Sequence, residues 1–247
     1  MTSTSETGHS KNVANLEEMI SYINGYGTSY NPSKNAIKSP ALNTLLTNSK
    51  TAVTAVNSAM PAYSNAVSAR ESAFEPLSKL ITRVFNSLVA TDTTEQVNDS
   101  AKTLVRKIQG RRASKKLTEE EIKALADKGE NVTQISSSQM SYDNRLDNLD
   151  KLIKLLVSVS LYSPNEVDLK PAALTTLYND LKTKNSAVIN ATIPLSNARI
   201  SRNDILYKEN TGLVSIANDV KAYVKSVFGA TSPQYKQISA LKFTNPR

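Results

Sequence analysis

Cysteine is absent from this 247-residue chain, which excludes a disulfide, a thiolate metal site and a cysteine nucleophile. Its absence fits a reducing compartment. Tryptophan is absent too, aromatics make up 6% and there are only seven glycines. Scarce glycine beside abundant Leu, Ala, Lys and Ser argues against a turn-rich β fold and for helices. The one histidine, His9, lies in a polar N-terminal stretch. Read as part of a tail, it removes a Ser–His pair, a histidine metal site and a Glu-x-x-His carboxylate bundle. Neither G-x-x-x-x-G-K nor G-x-G-x-x-G occurs, so the two common phosphate-cradling loops are missing.

Long apolar runs are missing as well. The best window, Leu152 to Tyr162, is interrupted by Lys154, Ser158 and Ser160, so no membrane-spanning helix and no integral membrane association is expected. Met1 to Asn12 lacks the basic start and apolar core of a secretory signal, and the expected location is the cytoplasm. These absences point away from an enzyme and imply no cofactor and no metal. Lone carboxylates remain available for acid–base work. Asp143, Asp147 and Asp150 share a helical face that could hold a cation, although Arg145, Lys151 and Lys154 nearby suit a solvated charged face better.

What is present is helical periodicity. Leu16, Met19, Ile20 and Ile23 mark a first helix, ended by Gly25 and Gly27. From Ser39-Pro40 a far longer run follows: Leu42, Leu45, Ser49, Val53, Val56, Met60, Tyr63, Val67, Arg70, Phe74, Leu77, Ile81, Val84 and Leu88 step by three and four. Pro61 and Pro76 predict that it is kinked or broken at those points.

The chain then repeats itself. Asn15-Leu16-Glu17 parallels Asn148-Leu149-Asp150, and Tyr30 and Pro32 parallel Tyr162 and Pro164. Lys38-Ser39-Pro40-Ala41-Leu42 parallels Lys170-Pro171-Ala172-Ala173-Leu174. Pro61 through Ser64-Asn65-Ala66 to Arg70 parallels Pro194 through Ser196-Asn197-Ala198 to Arg202. Asn98-Asp99 matches Asn218-Asp219 if the first copy carries an insertion near residues 87–97. Repetition in one order predicts an internal duplication. The expected fold is all-α, an elongated helical bundle of long, proline-kinked helices whose halves bury their apolar stripes together. The expected divisions are a disordered tail over 1–12, a first repeat over 13–110, a charged connector with a short helix over 111–131, a second repeat over 132–229 and a basic C-terminal tail over 230–247.

Two kinds of site stand out. Periodicity places Arg70 and Arg202 on the apolar stripe, with Asn65 and Asn197 as companions in a polar core layer and Pro61 and Pro194 as helix kinks. That layer could bind a ligand or ion, or the arginines could snorkel or pair with Glu71, Glu75 or Glu209 to fix register. The second kind is basic. Between Asp99 and Glu119 lie Lys102, Arg106, Lys107, Arg111, Arg112, Lys115 and Lys116 with no acid, and after Asp219 come Lys221, Lys225, Lys236, Lys242 and Arg247, again with none. These twelve exceed the whole formal net charge of +8, so the remainder is slightly acidic. Tyr223, Phe228, Tyr235 and Phe243 are interleaved with the second cluster, as a stacking platform for nucleic acid would need, whereas a solvated helix end needs only the lysines.

The function expected is that of a non-enzymatic helical scaffold or assembly protein working through protein–protein contacts, with a protein partner or itself. Nucleic-acid binding by the two basic ends is the alternative, and membrane activity by amphipathic helices a third.

Overall fold

The computed structural model describes residues 8–111, 118–127 and 141–245. Those residues are all-α. They form α1 (His9–Gly25), α2 (Ser39–Phe74), α3 (Leu77–Val89), α4 (Glu95–Gln109), α5 (Glu119–Ala126), α6 (Tyr142–Ser158), α7 (Pro171–Tyr207), α8 (Leu213–Phe228) and α9 (Pro233–Ala240). Short 3-10 turns, Asn35–Ile37 and Val167–Leu169, precede the two long helices. No helix among the described residues is long and apolar enough to cross a membrane.

The chain divides into two compact units, one of residues up to 64 together with those from 191 onward, the other of residues 65–190. In the first, α1 buries Leu16, Met19, Ile20 and Ile23 against Leu213, Ile216, Val220 and Val224 of α8 and Ile238 of α9. In the second, α6 buries Leu149, Leu152, Ile153 and Leu156 against Ala101, Val105 and Ile108 of α4, and α3, packed on α4, adds Ile81, Val84 and Leu88 to the same core. Each such leucine or isoleucine, once fully covered, stabilises its unit by about 1.5–3 kcal/mol. Neither unit is a stretch of chain matching an expected repeat: each takes elements from both halves of the sequence.

Local chemistry sets the element ends. Ser141 and Ser232 accept the backbone N–H of Asn144 and Tyr235 and so cap α6 and α9, with Pro233 in the first turn of α9. Gly110 ends α4 in the left-handed region. Between α7 and α8 the chain passes so close to itself that a Cβ on Gly212 would sit 2.6 Å from the backbone nitrogen of Lys208. Tyr30 donates its hydroxyl to the carbonyl of Ile37 at 2.7 Å, and Tyr162 does the same to Leu169 at 2.9 Å. Each bond closes the loop in front of a long helix.

Several expectations are corrected. The stretch 1–12 is not all tail: α1 begins at His9, and His9 and Asn12 are buried. Residues 230–247 are not simply a tail either, because α9 packs on α1 and α8 and buries Ile238. The long run is broken at Glu75–Pro76, whereas α2 and α7 continue as helices through Pro61 and Pro194, which excludes a break at those two prolines. Proline removes one backbone bond, and the remaining bonds of a 36- or 37-residue helix carry it past the gap. Asn218-Asp219 sits on α8, whose buried positions Leu213, Ala217, Val220 and Val224 have the spacing of Leu77, Ile81, Val84 and Leu88 on α3. Residues 132–140 of the expected second repeat lie outside the described residues.

Candidate functional site

Arg70 belongs to a cluster of cations and rings in the second unit. It lies near the end of α2 on the half-buried stripe that three-four spacing produces. Its guanidinium stands 3.9 Å from the centre of the Tyr142 ring and donates from Nη1 to Asn185 Oδ1 at 3.1 Å. Buried Asn185 in turn donates to Asp143 at 2.8 Å. The amide thus relays the arginine's charge to a carboxylate it does not touch. Tyr142 meets Phe74 edge-on with centroids 4.8 Å apart, and Arg145 stands 5.1 Å from the Phe74 ring while donating to the Phe74 carbonyl. Burial pushes the Arg145 guanidinium below its ordinary range. The Nε of both arginines is buried without a hydrogen-bond partner among the described residues, so the rings take up part of the charge instead. The arrangement locks helix ends together through polarised contacts.

The first unit has a lighter version. His9 Nδ1 and the Tyr207 hydroxyl share a 2.6 Å hydrogen bond, and Asn12 donates to the same hydroxyl at 3.3 Å and to the Thr244 carbonyl at 2.7 Å. Burial raises the Tyr207 phenol. Arg202 is buried and donates from Nε and Nη2 to Asn203 of its own helix. His9 and Tyr142 are the first residues of their helices, and Tyr207 and Phe74 the last of theirs, so each unit joins one helix start to one long-helix end through a ring pair.

The expected polar layer is therefore not assembled as drawn. Asn65 and Asn197 are exposed. Each precedes its arginine by five residues, which at about 100° per residue turns it roughly 140° away from the buried stripe. Arg70 takes Asn185 rather than Glu71 or Glu75. Sequence reasoning missed Tyr142's role, Arg145, Asn185 and the His9–Tyr207 pair. Three-four spacing marks Tyr142 as core, but nothing local marks an asparagine 115 residues from Arg70 as its acceptor.

The basic segments behave unlike one another. In the second unit Lys102, Lys107 and Arg111 are exposed, Arg106 is half-buried, and none of the four pairs with an acid among the described residues. Arg112, Lys115 and Lys116 lie outside the described residues. In the first unit the cations are partly consumed. Lys221 donates to the Leu241 carbonyl and faces the Phe243 ring at 5.2 Å, and burial lowers its ammonium. Lys225 stands 5.8 Å from the Tyr235 ring, whereas Lys236 is exposed. The aromatic platform is a correction: Tyr223 packs edge-on against Tyr30 and Phe228 against Tyr26, so these rings serve the core.

Asp147 and Asp150 pair with Lys151 and Lys154 at 2.6 Å, leaving no open acidic face with Asp143. Among the described residues no three His, Cys, Asp or Glu side chains gather to hold a metal. Exposed apolar side chains are present. Ile193 and Ile200, two turns apart on one face of α7, are 55% and 58% exposed, while Leu195 and Leu206 of the same helix are buried. Compared with known proteins, the chain matches no family model, no curated protein and no solved structure.

Proposed function

We propose that the protein is a non-catalytic helical assembly protein that acts through protein–protein contacts, itself included. The observation that carries this reading is the second apolar face of α7. A helix with its core stripe already satisfied and Ile193 and Ile200 facing water resembles one side of a contact. The use of the conspicuous cations, amides and rings in internal bonds supports it, since few are left for chemistry. Light scattering across a concentration series, paired with the Ile193→Ser/Ile200→Ser variant, tests it. The native chain is expected to associate, and the variant to keep its helicity and melting while remaining monomeric. A native chain that stays a monomer at high concentration and captures no protein sinks the reading.

We read the scaffold as the product of an internal duplication. Supporting it are the matched order of a 17-residue helix, a 3-10 turn, a long helix and a shorter amphipathic helix, the paired tyrosine–carbonyl bonds, and the shared burial spacing of α3 and α8. Nucleic-acid binding stays as a second reading on one observation, the exposed and acid-free Lys102, Lys107 and Arg111 of the second unit.

A further inference from the structure

In each unit an exposed ion pair ties the turn before a long helix to a shorter helix, with the charges reversed; the residue in register with Lys34 is the acidic Glu166, two before Asp168. In the first unit Lys34, directly before the turn Asn35–Ile37, reaches Asp219 of α8 at 2.5 Å. In the second, Asp168 within the turn Val167–Leu169 takes Arg83 of α3 through both carboxylate oxygens, at 2.5 and 3.2 Å. Asp219 and Arg83 sit alike on their helices, each six residues beyond the first buried leucine, Leu213 or Leu77. A basic turn thus meets an acidic helix in one unit, and an acidic turn meets a basic helix in the other. In both cases turn and helix come from different halves of the chain. Were each turn to close on its own half's helix, Lys34 would face Arg83 and Asp168 would face Asp219. Both contacts would then join like charges.

The spacing of the buried stripe alone does not make this choice, because α3 and α8 share it. Exposed pairs add little affinity, yet specificity is a difference between pairings, and here repulsion counts on the other side of it. Resting on the duplication read above, we propose that the crossed polarity of Lys34–Asp219 and Asp168–Arg83 selects the pairing of unlike halves. Residues 8–111 and 141–245 are then two interaction modules, each fitted to the other and set against a copy of itself, joined in one chain.

The test uses the full chain with a protease site placed within 112–117 and cut after folding. Size exclusion and native mass spectrometry then follow the cut protein through dilution. The native halves are expected to remain a one-to-one complex. Arg83→Asp with Asp219→Lys places like charges at both crossed contacts, and its halves should separate at about tenfold higher concentration, the scale of two exposed pairs turned repulsive. Adding Lys34→Asp and Asp168→Lys restores opposite charges and should restore the native behaviour, which separates recognition from misfolding. High salt should narrow the gap. Equal retention in the double variant, or no recovery in the quadruple one, overturns the proposal. Native halves that part at once overturn it too, while association of the intact chain by light scattering would still stand.

Discussion

Tyr30 and Tyr162 each reach seven residues forward to a backbone carbonyl, and burial raises both phenols above their ordinary range. A phenol kept neutral in the fold and free to ionise in the unfolded chain contributes stability that is whole below about pH 10. That contribution falls away as pH rises through that value toward the folded one. Thermal melts from pH 8 to 11.5 should therefore show the native chain losing stability more steeply above pH 10 than Tyr30→Phe. At neutral pH the same variant should be weaker by about 1 kcal/mol for the lost hydrogen bond. Parallel curves would refute the assignment. At this scale the sequence was partly legible. Spacing placed Arg70 on the buried stripe, but Asn65 and Asn197 were carried along by their repetition, although their angular position points them to water. His9, Asn12 and Asn15 were unreadable as core, because polar side chains go inside only when distant groups meet them, here Tyr207, Thr244 and Lys242.

Helices were the most legible level. Every residue named on the long stripe from Leu42 to Phe74 is buried or half-buried, and the break at Pro76 was visible in advance. The continuity through Pro61 and Pro194 was not, since a sequence shows the missing N–H but not the tertiary contacts that hold the helix on either side. It makes a measurable difference. An exposed proline inside a helix costs up to about 3 kcal/mol relative to alanine. Pro61→Ala and Pro194→Ala should each raise the midpoint of denaturant unfolding with the slope unchanged. A lower midpoint in either would mean that the ring holds a bend the fold requires. The helix α9 was missed because Lys, Gln and Ser dominate it, although Ser232 before Pro233 is the capping signal that could have found it.

For the molecule as a whole, the sequence indicated repetition but not which pieces close together, because periodicity says that a face is buried and not what covers it. Charge is the remaining question at this scale. If the acid-free cations of α4 bind nucleic acid, Lys102→Glu with Lys107→Glu and Arg111→Glu should abolish retention on DNA or RNA and flatten its salt dependence, as read in a mobility-shift series. Unchanged retention would remove that reading. The division of the chain bears also on how the protein is made. Residues 65–190 are contiguous and can fold as they leave the ribosome, whereas residues 8–64 need those from 191 onward. At about 5–20 residues per second, α1 waits roughly 10 to 40 seconds for α8 with Leu16, Met19, Ile20 and Ile23 uncovered. During synthesis, then, α1 is a natural client for a chaperone until α8 and α9 have been translated.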